Sequence, residues 1–139
     1  MDAILFSANP KFVDVKDAID HLKSHEELYW EVPFRIKHEN FEYPLDGYIH
    51  ICKGQVEFKV TIQDILPFSK KHYEDKRFKP ELWLREWREN INVKRWKHAL
   101  VITHIEPFSC DTYDFRKSKD GEYIKKPPRN YIKVIQKCT

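Results

Sequence analysis

Residues 48–65 carry the most regular pattern in the chain and constrain the fold most. Tyr48 to Cys52 is a strongly β-favouring run, and Lys53-Gly54 follows it as a tight turn. Apolar and polar residues then alternate from Gln55 to Ile65. The apolar side of this alternation is formed by Val56, Phe58, Val60 and Ile62. Two strands joined by a two-residue turn form a β-hairpin, so the fold must contain antiparallel sheet.

The segment before the hairpin predicts one strand and one helix. Ala3 to Phe6 is a short apolar run typical of a buried strand. After the N-cap residue Asp14, apolar residues recur at helical spacing. These are Val15, Ala18, Ile19 and Leu22. Asp46-Gly47 predicts a turn that leads into the hairpin.

The segment after the hairpin predicts a second helix and two further strands. Residues 67–79 form a polar, basic loop, and Pro80 suits the first position of a helix that ends near Asn90. Ala99 to Ile105, stopped by Pro107, and Tyr131 to Ile135 predict strands. We therefore expect an α+β fold, an open β-barrel of mixed strands flanked by helices, in a single domain over residues 1–139.

Composition excludes several classes of protein. The chain has only three glycines, so it holds neither GxGxxG nor GxxxxGKS, and its twenty aromatic residues argue against low-complexity disorder. No apolar run approaches the roughly 20 residues that span a bilayer. Three widely spaced cysteines make a poor disulfide framework, and no signal peptide opens the sequence. We expect a cytoplasmic, intracellular protein without a membrane partner.

Positive charge is concentrated at the end of the sequence. Residues 116–139 hold eight Lys and Arg against two acidic residues, a net charge of +6, whereas the whole chain carries +3. Residues 1–50 carry a net charge of −5. A basic segment on a near-neutral protein indicates a polyanionic partner, although a solvated lysine face has the same composition.

Motifs of known enzymes are mostly missing. His25 begins a pattern like HExxH, but Tyr29 stands where the second histidine belongs, and neither GxSxG nor a cysteine pair is present. One degenerate pattern remains. Asp46, Glu57 and Lys59 are similar to the two carboxylates and lysine of Mg²⁺-dependent nucleases. Each also has a simpler role in a turn or on a solvent-facing strand.

Aromatic residues flanked by basic ones suit nucleic-acid binding. Several lie in or beside predicted loops: Trp30, Tyr73, Trp96 and Tyr113. Base stacking combined with phosphate contact requires such aromatic faces beside Lys and Arg. A flipped base also needs amide or hydroxyl groups that read its edge. Ser7 and Asn9, which follow the first strand, are placed to provide them.

The order of these motifs resembles that of YTH domains and their EVE relatives in the PUA-like superfamily. The first strand ending in Phe6-Ser7-Ala8-Asn9, a helix, and then Tyr29-Trp30-Glu31 resembles their opening. Further similar segments are residues 46–56, 96–108 and 119–124. The resemblance covers nearly the whole chain. It implies a PUA-like barrel that reads a modified base, typically N6-methyladenine in RNA, or modified DNA in restriction systems, in an aromatic cage.

The resemblance also implies roles for individual residues. Trp30 would form one cage wall, the Glu31 backbone would face the modified amino group, and Ser7 and Asn9 would lie at the pocket floor. Trp83 would form the second wall, with Tyr73 or Phe78 as substitutes if the 80–90 helix packs Trp83 into the core. Asp120 would approach the base edge. Phosphate contacts would come from Lys119, Lys125, Lys126 and Arg129.

Three hypotheses follow from the sequence. The first is a non-catalytic domain that reads a modified base, N6-methyladenine or a methylated cytosine, in DNA or RNA. The second is a small Mg²⁺-dependent nuclease using Asp46, Glu57 and Lys59. The third is a PUA-like RNA-binding module without modification specificity. The first and third require no cofactor or metal, and the chain is compatible with acting alone or within a larger multidomain protein.

Overall fold

A computed structural model describes residues 2–8, 15–32, 34–52, 54–67, 98–128 and 130–135. These residues form one mixed six-stranded sheet and one α-helix, with two single-turn 3-10 helices at His38–Asn40 and Thr112–Asp114. The strands and helix are β1 (Asp2–Ser7), α1 (Val15–Ser24), β2 (Leu28–Val32), β3 (Leu45–Cys52), β4 (Gln55–Pro67), β5 (His98–Asp111) and β6 (Tyr131–Ile135). The expected α+β class is confirmed. None of the described helices is long and apolar enough to cross a membrane.

The strand order is β2-β5-β4-β3-β1-β6, and only β1 and β3 pair in parallel. β1 lies between β3 and β6, and its residues from Ala3 to Phe6 have no exposed surface. A strand that is buried on both faces needs a continuous apolar run rather than an alternating one. The Ala-Ile-Leu-Phe run meets this requirement, so the predicted first strand is confirmed.

Among the described residues, two apolar clusters cover the two faces of the sheet. The larger one includes Ile4, Phe6, Trp30, Val60 and Ile62, and α1 packs on it through Val15 and Ala18. The smaller one is formed on the other face by β1, β3, β4 and β6 together with the segment that follows β5. Its members are Ala3, Leu5, Tyr48, Val56, Phe115, Ile124 and Val134.

The predicted hairpin is confirmed, but its predicted apolar face is wrong at one position. Phe58 packs against the larger cluster, whereas Val56 belongs to the smaller one on the opposite face. The register of β4 with β5 shifts between Val56 and Phe58. A bulge adds one residue to a strand and so reverses the alternation of faces.

Two predicted boundaries are also wrong. β5 does not stop at Pro107 but continues to Asp111. Pro107 pairs with Phe58 at the register shift of the ladder, where a residue without an N–H is tolerated. Asp46-Gly47 is not a turn, because β3 already begins at Leu45. Gly47 lies in the strand where a Cβ would come within 2.8 Å of Val60 Cγ2.

The predictions for α1 and for the strand over 131–135 are confirmed. The predicted helix over 80–90 lies outside the described residues, as does the predicted loop beyond Pro67.

The two edges of the sheet approach one another. Phe34, two residues past the end of edge strand β2, stacks on Tyr131 at the start of edge strand β6, with ring centroids 5.5 Å apart. Six strands spaced about 4.8 Å apart would hold the edges of a flat sheet roughly 24 Å apart. The sheet must therefore curl strongly, with the larger apolar cluster on its inner face.

Candidate nucleic-acid interface

The carboxyl ends of the parallel strands β1 and β3 meet the segment that leads into β6. The Ser7 amide donates to the Asn130 carbonyl at 3.3 Å, and the Ala8 amide donates to the His50 carbonyl at 3.1 Å. His50 Nε2 lies 3.1 Å from the Pro128 carbonyl oxygen. These residues, Ser7, Ala8, His50, Pro128 and Asn130, are called the β1 end below.

His50 serves this junction as a neutral donor. A carbonyl oxygen only accepts, so Nε2 must carry the proton that bonds to Pro128. His50 is 7% exposed, and burial lowers the pKa of its imidazole despite the hydrogen bond to Pro128, which acts in the opposite direction. The sequence indicated only a residue on a sheet face. The 78-residue separation from Pro128 left no local signal of the contact.

Four aromatic rings of the described residues lie on the inner face beside the β1 end. Phe6 and Trp30 meet edge to face with centroids 6.2 Å apart, and Phe34 stacks on Tyr131. Phe6 and Tyr131 are also direct partners across the β1–β6 ladder. This aromatic cluster, Phe6, Trp30, Phe34 and Tyr131, joins the ends of both edge strands to β1. Phe34 and Tyr131 were not singled out from the sequence.

Trp30 is therefore beside the predicted site but inside the core. Its side chain points inward with those of Leu28 and Val32, and only 2% of the residue is exposed. A ring this buried presents no face to a ligand. Its use as a cage wall stays a prediction, and it requires neighbouring side chains to move.

Glu31 occupies the opposite face of β2 and is an unusual buried acid. It is 2% exposed, and neither carboxylate oxygen has a hydrogen-bond partner among the described residues. Burial raises the pKa of Glu31 to about 9, so the group is a neutral carboxylic acid at pH 7. Successive residues of a strand point to opposite faces. The Glu31 side chain consequently cannot face the same space as Trp30, although the prediction assigned only its backbone to the site.

Asp120 and Lys119 lie in an exposed turn. Asp120 Oδ1 accepts from the Glu122 amide at 2.9 Å, and Oδ2 lies 3.4 Å from Lys117 Nζ. The hydrogen bond from Glu122 is the main cause that lowers the pKa of Asp120. The turn is tied to the start of β1, because Ser118 Oγ donates to Asp2. Asp2 and Ser7 are at opposite ends of β1, about 17 Å apart along the strand, so these contacts do not bring Asp120 to Ser7.

Lys125 and Lys126 do belong with the β1 end. Both are exposed, and they lie between the buried Ile124 and the Pro127-Pro128 pair, whose second carbonyl binds His50. The structure thus brings together Ser7, the aromatic cluster with Trp30, and the segment that directly follows these two lysines. Three predicted site residues, Asn9, Trp83 and Arg129, lie outside the described residues, as do Tyr73 and Phe78.

The three residues of the nuclease hypothesis do not share one cleft. Asp46 Oδ2 lies 3.7 Å from Lys59 Nζ, and Asp46 lines a cleft of about 720 Å³ with Asp2 and Glu42. Glu57 lines a separate shallow groove between β4 and β5. Within the described residues, no three His, Cys, Asp or Glu side chains are close enough to hold a metal ion.

Comparisons with known proteins give no neighbour for this chain. No family model, no curated protein and no solved structure matches it.

Proposed function

We propose that this protein is a non-catalytic nucleic-acid-binding domain that reads a modified base at the β1 end. One observation carries the proposal: hydrogen bonds from Ser7 on β1 and His50 on β3 join the ends of these two strands to the segment that follows Lys125 and Lys126. A hydroxyl, aromatic rings and two exposed cations thereby lie at one end of the sheet. This combination can read a base edge, stack on a base and bind phosphate.

The architecture proposed with this function is a PUA-like open barrel. Its support is the single parallel pair, β1 with β3, in an otherwise antiparallel sheet, and the stacking of Phe34 on Tyr131 across the two edges. The base would enter between these edges. Binding then requires the stacked rings to part, and this movement would uncover Trp30.

The difference in binding free energy between a methylated and an unmethylated base is modest. A methyl group on an amino nitrogen removes a donor, so aromatic walls must recognise it by burial, which is worth roughly 0.8 kcal/mol. Stacking of the base adds about 1–3 kcal/mol whether or not the base is methylated. Lys125 and Lys126 would supply phosphate affinity that weakens with salt. Specificity would therefore be a small difference on a larger general affinity.

A second candidate is favoured by the burial of Trp30. With 2% of Trp30 exposed, the space that a base would occupy is filled by side chains. A protein that kept this arrangement would bind RNA through Ser7 and the lysines without detecting a modification.

Binding to single strands about nine nucleotides long, with and without one N6-methyladenine, separates these functions. Fluorescence anisotropy at about 50 and 200 mM salt gives the affinity and its salt dependence. The reader should prefer the methylated strand at least about fourfold, whereas the second candidate binds both equally. RNA and DNA strands, and strands carrying a methylated cytosine, identify the preferred target.

A charge-matched pair of variants tests the location. Replacing Lys125 and Lys126 by Gln should reduce the salt slope of binding by about 1.4, because two phosphate contacts are lost. Replacing Lys16 and Lys23 on α1 by Gln removes the same charge from two other exposed positions and should leave the slope nearly unchanged. Equal effects of both variants, or no binding by the wild type, would refute the proposed site.

A further inference from the structure

Almost all described aromatic side chains are at least partly buried, but two tyrosines are exposed. Tyr113 is 46% exposed and Tyr123 is 53% exposed. The Tyr123 side chain already has a partner within the protein. The Arg116 guanidinium lies 4.8 Å from the centroid of its ring and donates to its hydroxyl at 3.0 Å. Tyr113 has neither a ring contact nor a side-chain hydrogen bond with any other described residue.

The backbone that carries Tyr113 is nevertheless held firmly. Its amide donates to Asp111 Oδ1 at 2.9 Å in a capping box completed by Asp114. The neighbouring Thr112 amide donates to the Gly54 carbonyl at 2.8 Å, and Thr112 and Phe115 are 0% and 1% exposed. A ring displayed on a fixed turn loses little conformational entropy when it binds a partner.

Tyr113 lies beside the basic segment of the proposed site. Tyr113 Cε2 and Pro127 Cγ lie 3.6 Å and 3.4 Å from the position that a Cβ on Gly54 would occupy, so the two atoms are at most about 7 Å apart. Pro127 directly follows Lys125 and Lys126, and the next residue binds His50 at the β1 end. The exposed ring thus lies near the segment that carries these two exposed lysines and leads to the β1 end.

We propose that Tyr113 is a stacking platform for a nucleobase of a single strand, next to the nucleotide bound at the β1 end. This inference rests on the proposed function and extends it by a second subsite. Sequence-independent binding of single strands combines such rings with cations that follow the backbone. Asp111 and Asp114 lie in the same turn as Tyr113, so the phosphates must avoid these two carboxylates and run past Lys125 and Lys126.

Two variants of Tyr113 distinguish stacking from other roles. Tyr113→Ala should weaken binding of an unmodified nine-nucleotide strand between about fivefold and a hundredfold, since stacking contributes that much per base. Tyr113→Phe keeps the ring and should bind as the wild type does. Neither change should alter the salt slope, because the ring contacts no phosphate. Unfolding by urea checks that the exposed substitution leaves the fold intact.

Failure of this inference is distinguishable from failure of the proposed function. If the Lys125 and Lys126 variant weakens binding and Tyr113→Ala does not, the platform is wrong and the proposed site stands. If Tyr113→Phe loses as much affinity as Tyr113→Ala, the hydroxyl rather than stacking is responsible, and the platform is again wrong. If the wild type binds no strand, the proposed function itself fails.

Discussion

Phe34 stacks on Tyr131 although the two residues belong to opposite edges of the six-stranded sheet. The rings lie 5.5 Å apart at an interplanar angle of 23°. Backbone hydrogen bonds between β2 and β6 are not found among the described residues, so side chains carry this contact between the edges.

The first prediction is that this stack stabilises the curled sheet. Phe34 is 8% exposed, and Phe34→Ala should cost about 3 kcal/mol of unfolding free energy because it leaves a cavity. A double-mutant cycle with Tyr131→Ala should give a coupling energy of about 0.5–1.5 kcal/mol, measured by urea unfolding. Ile135→Ala, an exposed change on the same edge strand, is the control. A coupling energy of zero would show that the stack does not hold the edges together.

The second prediction concerns Glu31 and alkaline pH. Because burial raises its pKa to about 9, from 4.5 in the unfolded chain, the unfolded state releases this proton first. The neutral form of Glu31 therefore stabilises the folded protein fully below pH 4.5, and this stabilisation is lost as pH rises to about 9. The free energy of unfolding should fall with a slope that approaches 1.4 kcal/mol per pH unit. Glu31→Gln should flatten this slope, whereas Glu57→Gln, an exposed glutamate on β4, should leave it unchanged.

The third prediction concerns His50 and acid, with the opposite sign. Burial lowers the pKa of His50 below 6.5, so the unfolded chain takes up a proton more readily than the folded one. Stability is present above pH 6.5 and falls as pH drops through the folded-state pKa. His50→Gln places an amide donor near the position of Nε2 and should reduce this loss below pH 6.5. The exposed His104 provides a matched control in His104→Gln; equal effects of the two changes would contradict the role of His50.

The fourth prediction compares two glycines. A Cβ at Gly47 would lie 2.8 Å from Val60 Cγ2 and 3.1 Å from Phe6 Cε1, whereas nothing lies within 4 Å of one at Gly121. Gly47→Ala should cost about 1–3 kcal/mol through overpacking. Gly121→Ala should cost about 1–2 kcal/mol for its positive φ alone. Only the first should be relieved by Val60→Ala in the same chain, which a second double-mutant cycle measures.

Much of the fold could be predicted because the deciding patterns are local. The continuous apolar run of β1, the spacing of Val15 and Ala18 on α1, and Lys53-Gly54 between two β-favouring runs each specify an element within a few residues. The bulge between Val56 and Phe58 could not be predicted. It depends on where β4 pairs with Pro107 on β5, some fifty residues away along the chain.

The candidate site was predicted only in outline, because it also depends on contacts between segments that are far apart in the chain. The position of Ser7 at the end of a buried apolar run predicted that the site lies at the end of β1. Lys125 and Lys126, which precede Pro127, predicted phosphate contacts. Whether Trp30 faces a ligand or the core depends on the pairing of β2 with β5, which turns Trp30 and Leu28 inward together. The exposed position of Tyr113 depends on a capping box formed by Asp111 and Asp114. Nothing in the sequence distinguishes these two aspartates from other surface acids.

The place of β1 between β3 and β6 has a consequence for biosynthesis. During synthesis β1 can pair along one edge with β3, but its other edge must wait for Tyr131–Ile135, which is made long after it. Until then, the apolar run from Ala3 to Phe6 has unpaired backbone groups that could template aggregation. The described sheet can be completed only once residues 131–135 are synthesised, and closing so long a loop makes the pairing of β1 with β6 a slow step.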